Sequence, residues 1–196
     1  MRIEIRAGTE ADLTLVSGLL REGARQRHFA SSVEKEATSI VRSVLTNGGV
    51  PMLKRRGGLQ VPCFVKAKLV VAMYEGMLAS FLLVLFDERE IELHLAGTAK
   101  AYRRKGLFRA LVQHELSHSL PEFRIYARCY RKSTWAVNAL KGLGFALSKD
   151  GDPQEFTFVR RATSLPEASL AEGQAKQGKK RDILDALRRW VMRLLA

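Results

Sequence analysis

The stretch Leu95-Ala96-Gly97-Thr98-Ala99-Lys100-Ala101-Tyr102-Arg103-Arg104-Lys105-Gly106-Leu107-Phe108-Arg109-Ala110-Leu111 governs how the rest of the chain is read. Small and apolar residues up to Thr98 suit the end of a strand, and Lys100 to Lys105 form a polar, basic loop. From Leu107 the apolar residues Phe108, Leu111, Val112, Leu116 and Leu120 recur at helical spacing. A strand that passes through such a loop into a helix leaves the free N–H groups of the first turn pointing into the loop. The helix dipole adds positive potential there. Arg103, Arg104, Lys105 and Arg109 crowd the same spot, and the segment contains no acidic residue. Gly106 lets the backbone come close to a ligand. The pattern predicts a cradle for phosphate or pyrophosphate. It is not a P-loop, because no Gly-Lys-Ser/Thr follows. The same residues also suit a solvated basic turn ahead of an ordinary helix.

Upstream, Ile3 and Ile5 alternate with polar residues as in a short strand. Thr9-Glu10-Ala11-Asp12 has the form of a capping box with Asp in place of Glu, and Leu13, Val16, Leu19 and Leu20 predict a helix to about Arg25. Ser31-Ser32-Val33-Glu34 is a second capping box. Val33, Ala37, Ile40, Val41, Val44 and Leu45 share the face of the helix behind it, which ends at Asn47-Gly48-Gly49. Leu53 and Val61-Pro62-Cys63-Phe64-Val65 flank a predicted basic loop, Lys54-Arg55-Arg56-Gly57-Gly58. Leu69 to Tyr74 and Met77 to Phe86 form a hairpin about Glu75-Gly76, and Glu90 to Thr98 is the next strand. Downstream, Pro121 closes the helix that starts at Leu107. Phe123 to Tyr130 is a strand, Ser133 to Leu143 a helix, and Gly144-Phe145 leads to two last strands ending near Val159.

That order predicts an α/β fold with a mixed sheet, not a regular βαβ repeat. It spans residues 1–162. Residues 163–182 have the Ser, Glu, Ala, Gly, Gln and Lys composition of a linker. Residues 183–196 form an appended C-terminal amphipathic helix with Ile183, Leu184, Leu187, Trp190, Val191, Leu194 and Leu195 on one face. Such a short helix is marginal alone and needs a surface: the domain, a second copy in a homodimer, or lipid.

A chain of 196 residues accommodates one domain plus an appendage and buries enough surface to need neither disulfides nor metal. Hydrophobic residues at 46% and charged residues at 27% exclude a wholly disordered or membrane-embedded protein. Cys63 and Cys129 form no CxxC pair and no zinc pattern, and read as reduced, buried thiols. Charges alternate with apolar residues in Met1 to Arg6, unlike a signal peptide, and no run reaches the ~20 apolar residues of a membrane span. A soluble, cytoplasmic protein is expected. The formal net charge of +13 favours anionic partners: nucleic acid, a lipid surface or a phosphorylated ligand.

The segment Arg103-Arg104-Lys105-Gly106-Leu107-Phe108 resembles the Arg/Gln-x-x-Gly-x-Gly/Ala signature of the GCN5-related N-acetyltransferases, the GNAT superfamily. Tyr102 and the preceding strand resemble that family's lead-in. Ser133 to Phe145 resembles its later helix, which closes in Gly-Phe, and Thr9-Glu10-Ala11-Asp12-Leu13 its start. The resemblance covers roughly residues 1–160. It implies a GNAT-like, mostly antiparallel central sheet flanked by helices, and acetyl-CoA or a related acyl-CoA as donor. It implies direct attack by a primary amine, from a small molecule or a protein, within a ternary complex. It carries the pyrophosphate contacts onto Arg104, Lys105, Gly106, Phe108 and Arg109, a pantetheine contact onto Thr98, and further cofactor contacts onto Ala96, Arg103, Leu107 and Asn138. Phe108 departs from the pattern, standing where Gly or Ala is usual, so its side chain must point away from the cofactor.

Amine acylation needs a group to take the ammonium proton and a proton for the leaving thiolate. Glu90, Glu92 and His94 alternate along one strand, which predicts that they share a face. Glu92 resembles the general-base glutamate of the histone-acetyltransferase branch, and a salt-bridged strand residue is its bland counterpart. His94 is an alternative base or a relay. The family's usual tyrosine donor falls on Leu140, which has no proton to give. Tyr130 and Ser133 are the substitutes at hand, while Tyr126 reads as sheet packing. Two functions compete. One is an acyl-CoA-dependent N-acetyltransferase. The other is a catalytically weak GNAT-fold binding module whose basic surface engages nucleic acid, membrane or a protein partner. Residues 163–196 carry seven basic and four acidic residues, so +10 of the charge belongs to the domain, and five of its cations lie between Lys100 and Arg109.

Overall fold

The computed structural model describes residues 2–56, 59–130, 132–148 and 155–158. Met1–Arg160 forms one compact unit. The predicted linker (163–182) and C-terminal helix (183–196) lie outside the described residues.

The chain enters through β1 (Ile3–Ala7) and a single 3-10 turn into α1 (Leu13–Arg25). Asp12 makes that entry. It accepts a bond from Thr9 N–H at 2.8 Å, and Arg6 grips its carboxylate with two bonds of 2.7 and 2.9 Å. The second helix, α2 (Ser32–Asn47), follows Ser31 without a side-chain cap, so the capping box expected there does not form. Gly48, left-handed at φ 65°, ends it.

Five strands and two helices complete the first part and the middle of the unit: β2 (Gly49–Arg56), β3 (Leu59–Tyr74), β4 (Met77–Asp87), β5 (Glu90–Thr98), α3 (Leu107–His118), β6 (Arg124–Arg128) and α4 (Thr134–Lys141). Two short strands close it, β7 (Phe145–Leu147) and β8 (Glu155–Phe158). The sheet runs β1-β3-β4-β5-β6-β8-β7, with β2 also on β3. The β5–β6 pair is parallel and the other pairs are antiparallel.

The predicted loop Lys54 to Gly58 is a correction. Lys54, Arg55 and Arg56 pair with Val61, Gln60 and Leu59, so β2 and β3 run on as a ladder. The two segments read as separate strands, from Val61 and from Leu69, are the one strand β3. Because β4 pairs with β3 only from Lys66 onward, the outer part of the β2–β3 ladder has no third strand among the described residues. Pro51 and Pro62, which lack an N–H, are tolerated in such a two-stranded extension. Charge and proline mask a strand there, since neither face of it has to be apolar.

Helices cover both faces of the sheet. Val71, Phe81 and Leu83 pack with Val16, Leu20, Ala37 and Val41 of α1 and α2. Val70, Leu82 and Val84 pack on the other face with Leu107, Leu111 and Val112 of α3 and Leu140 of α4. With both faces covered, Ala79 to Leu85 of β4 are all buried, which is why that strand reads as a continuous apolar run. The two cysteines are free and only partly buried, and burial pushes the Cys129 thiol up to about 11.

Two irregularities in β5 shape the site. Leu83 pairs with Leu95 while Val84 pairs with Leu93, so His94 is the extra residue of a β-bulge. The bulge shifts the alternation: Leu93 faces the core under α3, whereas Leu95 faces the core under α1 and α2. β5 and β6 then pair only over Glu90 to Glu92 with Arg124 to Tyr126. Beyond Glu92 the two strands part, and Leu93 to Thr98 carry no ladder on that side among the described residues.

Candidate active site

The open edge of β5 leads straight to the basic loop. Gly106 is left-handed at φ 77° and caps α3. The first bond of that helix is Ala110 N–H to Gly106 O at 2.9 Å. Among the described residues, the backbone N–H groups of Arg104 to Arg109 donate to no backbone carbonyl. A Cβ placed on Gly106 would meet no atom within 4 Å beyond its chain neighbours, so the space beside that glycine is open. Six unspent donors, a helix dipole and open space fit a pyrophosphate.

The loop's cations serve chiefly as braces. Arg103 donates to Glu22 Oε1 of α1 at 2.9 Å and to Thr98 O at 3.2 Å. This corrects the expectation of a cradle without an acid, since the fold brings Glu22 to it from 81 residues away. Lys105 reaches the Tyr74 hydroxyl at 3.3 Å and lies 4.6 Å over its ring. Arg104, at a left-handed φ of 66°, sets its guanidinium 5.7 Å from the Trp135 ring of α4. Arg109 makes a long contact to Gly142 O at 3.5 Å. Leu107 is fully buried, and Phe108 packs beside it against the core under α3, so the bulky residue in the signature turns inward and its N–H stays outward.

Thr98 turns its hydroxyl to Ser80 of β4 at 2.8 Å, and its carbonyl is the one that Arg103 reaches. Ala96 packs on the α3 side. Asn138 is exposed on α4.

At the point where β5 and β6 part, four side chains meet. Glu92 is 7% exposed. Its Oε1 lies 2.8 Å from His94 Nδ1, and its Oε2 accepts from the Tyr126 hydroxyl at 3.1 Å and from Arg128 Nη2 at 2.9 Å. Burial alone would raise this carboxyl. The hydrogen bond and charge of His94, together with Arg128, outweigh burial and hold it at about 2, against an ordinary 4.5. Burial and the adjacent Glu92 charge push the Tyr126 phenol upward in turn. Glu92 and His94 thus share a face, as their alternation predicts. Glu90, on the same strand, is paired separately with Arg124 at 2.9 Å.

Ser133 precedes α4, and its Oγ lies 3.1 Å from His28 Nδ1, in the loop between α1 and α2. Tyr130 is exposed beside it, and Leu140 is buried in the core. Arg128, Tyr126, Glu22 and His28 had no motif to mark them. They reach the site through strand register and loop packing, which no local pattern encodes. Among the described residues no group of His, Cys, Asp and Glu could hold a metal ion, and no helix is long and apolar enough to cross a membrane.

No protein-family profile matches the chain, and no curated protein matches it in sequence. Solved structures do match in fold. One is a GCN5-related N-acetyltransferase from Kribbella flavida, 16% identical with a TM-score of 0.57, over 79% of this chain and 94% of that one. A second is the PaiA N-acetyltransferase from Thermoplasma acidophilum, in complex with coenzyme A, 14% identical with a TM-score of 0.55, over 80% and 97%. A third is the ribosomal-protein-S18-alanine N-acetyltransferase from Escherichia coli, 15% identical with a TM-score of 0.52, over 84% and 99%. The chain has their fold.

Proposed function

We propose that this chain, built on the fold of the GCN5-related N-acetyltransferases, is an N-acetyltransferase that uses acetyl-CoA to acylate a primary amine. The observation that carries this is the continuity between the open edge of β5 and the six unspent N–H groups of Arg104 to Arg109. An amide-bearing arm followed by a pyrophosphate has that same order of needs: backbone pairing first, then anion binding. Ala96 and Thr98 would pair with the arm, and Arg103, Lys105, Leu107 and Phe108 would lie with Arg104, Gly106 and Arg109 around the phosphates, with Asn138 at the margin. Bound there, acetyl-CoA supplies an activated thioester carbonyl. The chain orients the acceptor at the gap between β5 and β6, and the Glu92–His94 pair takes its proton. Ser133 or Tyr130 would provide the proton for the departing sulfur. Among the neighbours in fold, one is named for the N-acetylation of an alanine of ribosomal protein S18, and another was solved in complex with ribostamycin and coenzyme A. An amine is the acceptor class proposed here. A cytoplasmic setting follows from the donor.

Leu140, buried where the family's tyrosine donor is usual, favours the second reading, a catalytically weak binding module whose basic surface engages nucleic acid, membrane or a protein partner. Calorimetry with acetyl-CoA, followed by thiol release on a panel of terminal-alanine peptides, lysine peptides, polyamines and aminoglycosides, separates the two. Binding with amine-dependent thiol release is expected. Binding without release from any amine, or no binding at all, removes the enzyme and leaves the binding module.

A further inference from the structure

We propose that His94 is the group that takes the acceptor's proton, through Nε2, and that Glu92, clamped by Tyr126 and Arg128, is a positioning residue that fixes the ring. The inference rests on the acyltransfer reading and divides labour within the site.

The geometry assigns the roles. Glu92 is buried and both its oxygens are engaged: Oε1 with His94, Oε2 with Tyr126 and Arg128. A carboxylate held at about 2 is ionised at neutral pH, accepts hydrogen bonds only, and is a weak base. Nδ1 must therefore be the donor of the 2.8 Å bond. In the neutral ring the lone pair then lies on Nε2, which has no protein partner among the described residues. The His94 side chain is 26% exposed, against 9% for that of Glu92, so of the two it is the imidazole that an acceptor can reach. It is the bulged residue of β5, two positions past the last residue paired with β6.

The groups around the pair support this. β6 contributes Tyr126 and Arg128, and β4 sets the apolar Leu83 and Val84 across the bulge. The charges of α1, which packs on β5, are engaged elsewhere: Arg21 with Thr38, Glu22 with Arg103, Arg25 with Glu34. Glu92 is thus the anion in direct contact with the imidazole.

The proton balance closes. One N–H bond of the acceptor ammonium breaks and its proton goes to Nε2. The freed lone pair forms the C–N bond to the thioester carbon. The C–S bond breaks with its electron pair on sulfur, which takes a proton from Ser133 or Tyr130, and that hydroxyl regains the second proton lost by nitrogen. The imidazolium, its charge opposed by Glu92, then returns its proton to solvent.

The test has two arms. In the folded wild-type protein, ring 15N shifts of His94 above neutral pH should report hydrogen on Nδ1 and a bare Nε2. Glu92→Ala should mix the tautomers. This arm needs no turnover, so it stands even if no amine is acetylated and the acyltransfer reading falls. In the kinetic arm, His94→Gln should lower kcat/KM by about 10²–10³-fold and abolish the acidic limb of the pH profile, with the KM for acetyl-CoA unchanged. Glu92→Gln should cost less than His94→Gln, and Glu92→Asp should restore part of the loss. A proton found on Nε2 in the wild type overturns the proposal. So does a His94→Gln enzyme that keeps the limb, because Glu92 would then be the base.

Discussion

Glu92 shows how one side chain couples the site to stability. Its carboxyl ionises at about 2 in the folded chain, against 4.5 for the ordinary group. The unfolded chain therefore binds more protons between those values. The stability that Glu92 contributes is complete above about pH 4.5 and is lost as pH falls toward 2. The shift corresponds to about 3 kcal/mol. Urea unfolding across that range should show a shallower loss in Glu92→Gln than in the wild type, and equal slopes would place the anchoring charge elsewhere. At this scale the sequence is partly legible. The alternation of Glu92 and His94 puts them on one face, but their unequal exposure and the two donors from β6 depend on register. Phe108 is the opposite case. The signature position demands an outward N–H, and helical geometry after Gly106 sends the ring to the core without further help.

At the scale of the element, the turn into α3 is the part most fully written in local sequence. A basic loop, a glycine and an apolar helical stripe yield unspent N–H groups whatever surrounds them. Gly106→Ala tests it. At φ 77° a side chain costs about 1–2 kcal/mol, and because no protein atom beyond its chain neighbours lies within 4 Å of the added Cβ the cost is torsional. The methyl group also stands where a phosphate would approach. Acetyl-CoA affinity should fall by more than about tenfold, or 1.4 kcal/mol, in calorimetry, while pantetheine-arm analogues lacking phosphate bind as before. Equal losses for both would move the phosphate site away from α3. The strand that precedes the turn is less legible. Nothing in Glu90 to Thr98 announces a bulge, because a bulge arises from the mismatch between β5 and β4 and exists only in the pair.

At the scale of the molecule, the charge of +13 creates a field as well as a set of contacts. Phosphate-bearing acetyl-CoA should associate more slowly as ionic strength rises, and a neutral pantetheine analogue should not. Stopped-flow rates in increasing salt check this, and a flat response for both would show that the cations act only as braces. The sequence by itself determined most of the helices and strands in their order, the apolar faces of the helices, and the basic turn into α3. All of these follow from local periodicity and capping, which act over a few residues. Only the tertiary structure decided that Lys54 to Arg56 lie in a ladder, that Glu22 meets Arg103, that β5 and β6 part after Glu92, and that Tyr126 and Arg128 close on the Glu92 carboxylate. Those are pairings between residues 3 to 81 apart in the chain, set by register and by the packing of helices on the sheet. No local rule carries that information, because each partner is an ordinary residue until the fold brings the other to it.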